Sequence, residues 1–272
     1  MPERTAFDTK TLERRYYINE DIYDRETDRI FFRQWLFVGR VSEIAEPGSY
    51  MLFELESESI IVLRDYEGDL QAHYNVCRHR GTRLVNEPTG IFPKSIQCGY
   101  HAWTYALSGE LTGAPFMDEV ESFCKEDYPL VSVAVAEWEG CVFVNLSEEP
   151  EPFEKIFAPL VDKFTSWDLA NLEIAHRIVY EIPANWKLVF QNYSECYHCP
   201  ALHPALNRLT PFRNAWNDLE EGPFLGGPMQ MEIEDGSMTM TGQRCAAPLG
   251  GLEGEDLNRV QYYTIFPNLL LS

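Results

Sequence analysis

The sequence lacks any long apolar run and has few basic residues for its size. No stretch of its 272 residues approaches the roughly 18–20 uninterrupted apolar residues of a membrane-spanning helix. Its 22 lysines and arginines stand against 43 aspartates and glutamates, and the formal net charge is −21. That charge argues against binding to nucleic acid or to anionic lipid. The first residues contain no apolar core of a signal peptide, so we expect a cytoplasmic protein.

The sequence also lacks a G-x-G-x-x-G dinucleotide motif, so electrons for any redox chemistry must come from another protein. Seven cysteines, an odd number in a long chain, argue against a disulfide framework. We expect Cys124, Cys141 and Cys245 to be small buried hydrophobic residues. Cys196 and Cys199 form a C-x-x-C motif. No second C-x-x-C completes a zinc site, and the flanking sequence does not indicate a thioredoxin-like unit.

Two cysteine–histidine pairs are the most informative feature of the chain. Cys77 and His79 form the first pair, and Cys98 and His101 form the second after 18 intervening residues. Two thiolates and two imidazoles are the ligand set of a Rieske [2Fe–2S] cluster, in which histidines replace the cysteines on one iron. The same residue types also bind zinc. Their spacing alone excludes neither a zinc site nor four unrelated loop residues.

A second pair of histidines follows. His198 and His203 are separated by four residues, and Glu195 lies three residues before the first of them. Two histidines and a carboxylate form the facial triad of non-haem Fe(II) oxygenases. We expect a helix from Asn185 to His198, which would make Glu195 and His198 neighbours, whereas Pro200 would place His203 in a turn. By themselves, the histidines could also be ordinary polar residues near a helix end.

Together these motifs resemble the oxygenase (α) subunits of the Rieske non-haem iron oxygenases. The resemblance extends over nearly the whole chain and includes Arg80-Gly81 after the first pair and Ala102-Trp103 after the second. It implies that the cluster is held by Cys77, His79, Cys98 and His101. It implies that mononuclear Fe(II) is held by His198 and His203. In the family the acid at the position of Glu195 bridges to a cluster histidine, here His101 or His79, of a neighbouring subunit in a trimer.

The segment Glu195–Cys199 is more similar to family members that oxidise quaternary ammonium compounds, such as carnitine or glycine betaine, than to aromatic-ring dioxygenases. The resemblance implies a monooxygenase component that hydroxylates and N-demethylates a small quaternary ammonium substrate. It would use O₂ and electrons from an NAD(P)H-dependent flavin and iron–sulfur reductase. Two alternatives remain open at this point. One is an α subunit that hydroxylates an aromatic acid, and the other is a Rieske electron carrier without oxygenase activity.

We expect a β-rich α+β fold in three parts. Residues 1–38 would form a helical segment packed on the catalytic domain, residues 39–148 an antiparallel Rieske β domain, and residues 149–272 an incomplete helix-grip catalytic domain. Helices are predicted at Glu20–Trp35, Phe153–Phe164 and Asn185–His198. Strands are predicted at Ser59–Arg64, Leu70–Val76, Leu130–Val135, Cys141–Asn145, Leu172–Ile182, Met229–Glu234, Ser237–Thr241 and Arg259–Phe266.

The third iron ligand of the family is a carboxylate further along the chain. The resemblance therefore implies that this sequence is truncated before that ligand. Glu232, Glu234 and Asp235 could each be offered in its place, but nothing in their position supports the substitution.

Overall fold

The computed structural model describes residues 11–233 and 236–272. This part of the chain divides into two compact units. The central unit comprises Gln34–Arg177 and Pro248–Glu253. The flanking unit comprises the described residues before Gln34, together with Ile178–Ala247 and Gly254–Ser272. The division expected near residue 149 falls inside the central unit, and the domain limits given by the sequence stay predictions.

The central unit is built from short antiparallel strands. In chain order they are β1 (Leu36–Arg40), β2 (Ser49–Leu55), β3 (Glu58–Arg64), β4 (Leu70–Tyr74), β5 (Thr89–Ile91), β6 (Ile96–Gln97), β7 (Thr104–Tyr105), β8 (Leu111–Gly113), β9 (Ala134–Trp138) and β10 (Cys141–Asn145). The strand orders of the sheets are β1-β10-β9, β4-β3-β2-β5 and β6-β7-β8. The expected β-rich α+β fold is confirmed.

Strand β3 lies between two partners, which explains its nearly continuous apolar sequence. Ile60, Ile61, Val62 and Leu63 are each 0% exposed. Burying such side chains stabilises a fold by about 1.5–3 kcal/mol each. The strands predicted at Ser59–Arg64 and Leu70–Val76 are present as β3 and β4, and they form a hairpin with Ile60 opposite Tyr74. Asp65 closes its loop by accepting hydrogen bonds from the backbone N–H groups of Glu67 and Asp69.

The flanking unit combines helices with a sheet of order β11-β12-β13. These strands are β11 (Phe224–Gln230), β12 (Arg259–Ile265) and β13 (Leu269–Leu271). The helices of the described chain are α1 (Arg15–Ile18), α2 (Glu20–Glu26), α3 (Phe153–Ile156, in the central unit), α4 (Trp186–Tyr193), α5 (Cys199–Leu202) and α6 (Pro204–Leu209). Asn19 and Asn185 cap α2 and α4, because each side chain accepts a hydrogen bond from an N–H group of the first turn.

Several predicted elements are shorter than expected or absent. The helix predicted over Glu20–Trp35 ends as a π-helical turn at Thr27–Phe31, and the helix predicted over Phe153–Phe164 is only α3 followed by a 3₁₀ turn. The strand predicted at Leu172–Ile182 is wrong, because this exposed segment pairs with no strand among the described residues. Ser237–Thr241 also forms no strand. Of the segment Met229–Glu234, the first two residues end β11, and Glu234 lies outside the described residues.

The remaining helical segments are single 3₁₀ turns. They lie at Val41–Ile44, Met117–Glu119, Lys125–Asp127, Ala158–Leu160, Thr165–Trp167, Leu169–Asn171, Phe212–Asn214 and Gly254–Asn258. Within residues 11–233 and 236–272, no helix has the length and apolar character required to cross a bilayer.

Candidate iron sites

Two loops of the central unit carry the cysteine–histidine pairs, and they repeat one backbone turn. The Cys77 N–H donates to the Thr82 carbonyl at 2.8 Å, and the Cys98 N–H donates to the Trp103 carbonyl at 2.8 Å. In both loops the residue four positions after the cysteine donates back to the cysteine carbonyl at 3.0 Å. That residue is Gly81 in one loop and Ala102 in the other, and both have left-handed φ values, 72° and 56°.

The cysteines are buried, whereas the histidines lie nearer the surface. Cys77 and Cys98 are each 2% exposed, belong to the same apolar core cluster and are not in a disulfide. His79 and His101 are half-buried, with ring centroids 4.7 Å apart. The ring of His79 also stacks on Trp103 at 4.7 Å and 7°. Burial first, and then the charges of His101 and Arg80, lower the pKa of His79 and so favour a neutral imidazole.

Tyr105 places a hydroxyl group beside the first cysteine. Its oxygen accepts a hydrogen bond from the Arg78 N–H at 3.0 Å and lies 3.3 Å from the Cys77 Sγ. Because the hydroxyl already accepts from Arg78, its own proton is free to point at the sulfur. Burial first, and then the contact with Cys77, raise the pKa of Tyr105, so this hydroxyl keeps its proton.

A buried amide fixes the first loop to the sheet. Asn75 is 1% exposed, and its Oδ1 accepts from the N–H groups of Leu84 and Val85 at 3.0 Å each. Its Nδ2 donates to the Val85 carbonyl and to Ser59 Oγ. Both ends of the amide are therefore satisfied, as a buried polar group requires. The loop that carries Cys77 and His79 is held from within the core.

These residues fit a Rieske cluster. Within the described residues, no three His, Cys, Asp or Glu side chains converge as a ready single-metal site. A Rieske cluster does not require such a group, because each of its two irons takes two protein ligands, cysteines on one and histidines on the other. The buried free thiols and the adjacent, half-buried imidazoles match that division.

The second site begins where helix α4 ends. Glu195 and His198 lie in the turn between α4 and α5, so the prediction that one helix runs to His198 is wrong. They are nevertheless neighbours, because Glu195 Oε1 lies 2.7 Å from His198 Nδ1. Glu195 Oε2 also accepts from the Tyr197 N–H at 2.7 Å. The hydrogen bond from His198 is the main reason why the pKa of Glu195 is lowered.

His203 lies in the turn between α5 and α6, as predicted from Pro200. Its ring centroid is 5.3 Å from that of His198, at an interplanar angle of 76°. Because Glu195 occupies Nδ1 of His198, Nε2 is the nitrogen left to bind a metal. A carboxylate in this position fixes the tautomer and raises the basicity of the ligand.

A buried ion pair holds α4 in the flanking unit. Lys187 Nζ contacts both carboxylate oxygens of Glu26, at 2.7 and 2.6 Å, and Trp186 Nε1 donates to the same carboxylate at 3.0 Å. The side chains of Lys187 and Glu26 are only 11% and 13% exposed. On the next turn Gln191 bonds to the Tyr17 hydroxyl. Two polar side chains of α4, Lys187 and Gln191, therefore make contacts inside the flanking unit, to α2 and to the residues before it.

A cavity of about 230 Å³ lies beside the histidines. His198, His203 and Glu195 line it, together with three aromatic side chains. The aromatic residues are Tyr193, Trp216 and Tyr262. A hydrogen bond holds the Tyr193 side chain in place, because its hydroxyl donates to the Leu271 carbonyl at 2.6 Å. The cavity is therefore small, lined in large part by aromatic side chains and bordered by both histidines.

The histidine pair and Glu195 fit the partial ligand set of a mononuclear iron site. No further carboxylate joins them as a third iron ligand within residues 11–233 and 236–272. Glu232 is exposed and bonds to Asn214 Nδ2 at 2.9 Å, and it does not line the cavity. Glu234 and Asp235 lie outside the described residues. The third ligand beyond residue 272 stays a prediction.

The sequence prediction missed one covalent feature. Cys196 and Cys199 form a disulfide with a Cα–Cα distance of 5.1 Å. The C-x-x-C spacing was the available signal, and the odd cysteine count had argued against it. Of the other cysteines, Cys141 is buried as expected, whereas Cys124 and Cys245 are exposed, so the prediction for those two is wrong.

Two family models match the chain. The Rieske [2Fe–2S] domain matches residues 34–124, and the ring hydroxylating alpha subunit (catalytic domain) matches residues 169–272. The first match contains both cysteine–histidine pairs, and the second contains Glu195, His198 and His203.

Several known proteins are similar to this chain. The carnitine monooxygenase oxygenase subunit of Acinetobacter pittii is 37% identical over 71% of this chain and 53% of its own length. The glycine betaine monooxygenase oxygenase subunit of Pseudomonas aeruginosa is 29% identical over 92% of this chain and 65% of its own length. A structure of the quaternary ammonium Rieske monooxygenase CntA matches with a TM-score of 0.79, at 29% identity, over 93% of this chain and 66% of that one.

A naphthalene 1,2-dioxygenase structure shares the fold, with a TM-score of 0.72 at 23% identity over 93% of this chain and 64% of that one. The chain spans 53% of the length of the carnitine monooxygenase subunit from Acinetobacter pittii that it matches.

Proposed function

Because this chain belongs to the Rieske non-haem iron oxygenases, we propose that it acts in the oxygenase component of a monooxygenase for small quaternary ammonium compounds. The reaction would insert one atom of O₂ at a carbon bonded to the quaternary nitrogen. When that carbon is a methyl group, the hydroxylated product loses formaldehyde and the nitrogen is demethylated.

The contact between Glu195 and His198 carries this proposal. A carboxylate 2.7 Å from Nδ1 leaves Nε2 aimed away from it, and His203 presents a second imidazole 5.3 Å from the first. We assign His198 and His203 as ligands of Fe(II), and Cys77, His79, Cys98 and His101 as ligands of the [2Fe–2S] cluster. When bound, these groups would supply one-electron transfer and oxygen activation.

Glu195 has two tasks in this proposal. It holds His198 as the tautomer with Nδ1 protonated, and its second oxygen is fixed by the Tyr197 N–H at 2.7 Å. The lowered pKa of Glu195 keeps the carboxylate ionised, so it stays a hydrogen-bond acceptor. We also propose Glu195 as the contact through which electrons reach the mononuclear site from a cluster histidine of a neighbouring subunit.

The cavity wall favours a cationic substrate. Tyr193, Trp216 and Tyr262 line a space of about 230 Å³, and aromatic faces attract quaternary ammonium groups. Glu195 adds a negative charge to the same wall. The similar proteins from Acinetobacter pittii and Pseudomonas aeruginosa are named for carnitine and glycine betaine, which are both quaternary ammonium compounds.

The proposed partners follow from what the chain does not carry. It has no dinucleotide-binding motif, so an NAD(P)H-dependent reductase with flavin and iron–sulfur groups is the proposed electron donor. A homotrimer is proposed because the family passes electrons between subunits, and the CntA structure is likewise described in terms of inter-subunit electron transfer. We also propose that the protein is located in the cytoplasm.

Hydroxylation of an aromatic acid is the second candidate. The large oxygenase component of salicylate 5-hydroxylase from Ralstonia is 34% identical over 69% of this chain and 47% of its own length. The aromatic lining of the cavity would also accept a planar ring.

Oxygen uptake separates these candidates. The protein, supplied with a reductase and NADH, is tested with glycine betaine, carnitine and salicylate. Uptake matched by aldehyde release with a quaternary amine supports the proposal, and uptake with salicylate alone supports the second candidate. No uptake with any of them, alongside rapid electron relay to an acceptor protein, would instead indicate an electron carrier.

Iron counting tests the ligand assignment independently of activity. The amount of acid-labile sulfide gives the amount of [2Fe–2S] cluster per chain. The iron that remains after the cluster iron is subtracted gives the occupancy of the mononuclear site. His198→Ala and His203→Ala should each lower the remaining iron without lowering sulfide. Glu195→Gln should weaken iron binding by about 10–100-fold, because it removes the charge that orients His198. Unchanged iron in both histidine variants would refute the assignment.

A further inference from the structure

A second cavity lies in the flanking unit. Its volume is about 430 Å³, and it is formed by residues of α1, of α2 and of the π-helical turn that follows α2. Three arginines line it, together with Tyr16, Glu26 and two isoleucines. The arginines are Arg15, Arg25 and Arg29. None of these residues lines the cavity beside the two histidines, so the two cavities are separate.

The arginines give this cavity a positive charge in a strongly acidic chain. The formal net charge of the chain is −21. Glu26 is the carboxylate on the cavity wall, but it is already paired with Lys187 and accepts a hydrogen bond from Trp186 Nε1. The Glu26 carboxylate therefore leaves the charge of the three arginines uncompensated.

Arg25 and Arg29 place two like charges on the same wall. They are four positions apart, and cations at that spacing on a helical segment repel each other. Within residues 11–233 and 236–272, neither side chain forms an ion pair with a carboxylate. An anion bound between the two guanidinium groups would convert this repulsion into two attractive contacts.

Arg15 adds a third guanidinium group from α1. Its Cζ lies 5.1 Å from the centroid of the Tyr16 ring, which lines the same cavity. Arg15 also pairs with Glu13 at 3.0 Å, but those side chains are 60% and 70% exposed. An ion pair that is so exposed contributes little, so a ligand with several negative charges can compete with Glu13 for Arg15.

We propose that this cavity is a binding site for a small dissolved anion that carries two phosphate groups. A guanidinium group presents its N–H donors in a planar fork that matches phosphate oxygens. The volume of about 430 Å³ is in the range of pockets that take small organic molecules, and it exceeds the needs of a single inorganic ion. The net charge of −21 argues against the headgroups of an anionic membrane as the source of the phosphate. The proposal does not depend on either iron site.

Isothermal titration calorimetry of the whole protein, at fixed ionic strength, tests the proposal. The probe is fructose 1,6-bisphosphate, a small molecule with two phosphate groups. We expect one molecule to bind per chain and to raise the melting temperature. Arg25→Gln and Arg29→Gln should each weaken binding by at least about tenfold, because each removes a charged hydrogen-bond donor. Both side chains are exposed and without an ion pair, so these variants should fold.

Arg208→Gln is the matched control. It removes the same charge from an exposed position of the same unit, but Arg208 does not line the cavity. This variant should bind the bisphosphate like the unsubstituted protein. Vesicles that contain phosphatidylserine, tested at the same ionic strength, should not bind the protein.

The inference is overturned if the unsubstituted protein does not bind the bisphosphate, or if Arg25→Gln/Arg29→Gln binds it with the same affinity. Equal weakening in Arg208→Gln would also overturn it, because the effect would then follow the charge of the whole chain. Binding to the vesicles without binding to the bisphosphate would assign the arginines to a membrane surface instead.

Discussion

The Tyr105 hydroxyl lies 3.3 Å from the Sγ of Cys77 and accepts a hydrogen bond from the Arg78 N–H, so it is positioned to donate its proton to the sulfur. Hydrogen bonds to cluster sulfurs are among the factors that set the reduction potential of an iron–sulfur centre. A donor stabilises the added electron. This single contact ties a core side chain to the redox chemistry proposed for the central unit.

Tyr105→Phe should therefore lower the reduction potential of the cluster by tens of millivolts while the cluster stays bound. Potentiometric titration followed by electron paramagnetic resonance measures the shift. Tyr128→Phe is the matched control, because Tyr128 packs on Trp103 and makes no hydrogen bond to Cys77. An unchanged potential in Tyr105→Phe would contradict the proposed donor role.

In the two loops that carry Cys77 and Cys98, we expect exchanges between glycine and alanine to have opposite effects on stability. Gly81→Ala should destabilise the protein by roughly 1–2 kcal/mol, because φ is positive there. A new Cβ at Gly81 would meet no atom within 4 Å, so the cost comes from the backbone alone. Ala102→Gly should stabilise by up to about 1 kcal/mol, since it relieves the same strain but adds entropy to the unfolded chain. Urea unfolding measures both, and a destabilised Ala102→Gly would disagree.

The buried pair of Glu26 and Lys187 predicts a non-additive double variant. Lys187→Met should destabilise the protein by about 3–5 kcal/mol, because it leaves a buried carboxylate without its cation. Glu26→Gln combined with Lys187→Met should cost less than the two single changes added together. Denaturant unfolding of the four proteins gives the coupling energy. Additive costs would show that the pair is not coupled.

His73 predicts a loss of stability in mild acid. It is 0% exposed, its Nε2 bonds to the Leu107 carbonyl at 2.9 Å, and its Nδ1 has no partner within the described residues. Burial lowers its pKa from 6.5, so the unfolded chain binds the proton more readily than the folded one. The stability contributed by neutral His73 is therefore present above about pH 6.5 and is lost as the pH falls below that value.

Urea unfolding between pH 7.5 and pH 5 measures this effect, and His73→Gln should flatten the dependence. His176→Gln removes an exposed histidine of the same unit and should leave the dependence unchanged. An identical slope in the protein and in His73→Gln would show that another group is responsible.

The sequence predicts an element well where the element depends on residues that are close together in the chain. The β3–β4 hairpin follows from two apolar runs around an Asp- and Gly-containing loop. The strand predicted at Arg259–Phe266 is present as β12, one residue shorter. The sequence of Leu172–Ile182 favours a strand, but a segment's own sequence does not show whether a partner strand lies beside it. A strand exists only where another strand offers its N–H and C=O groups, and none does so within the described residues.

The end of α4 shows a second limit. The apolar spacing continues to Tyr197 and predicts a helix that runs on to His198. In the structure the chain turns after Tyr193, and Glu195 bonds to the Tyr197 N–H and to His198. The Glu195 carboxylate accepts hydrogen bonds from a backbone N–H group and from an imidazole. These bonds compete with a further helical turn, and the spacing of apolar residues does not reveal them.

The sequence by itself determined the residue types of both proposed iron sites, because ligand chemistry depends on thiolates, imidazoles and carboxylates at short spacing. Only the tertiary structure decided how Tyr105 faces a cluster cysteine, how three aromatic rings line the histidine cavity and how two cysteines close a ring around His198. Those relationships join side chains through packing and covalent closure in three dimensions, and such contacts leave no periodic signal in the chain.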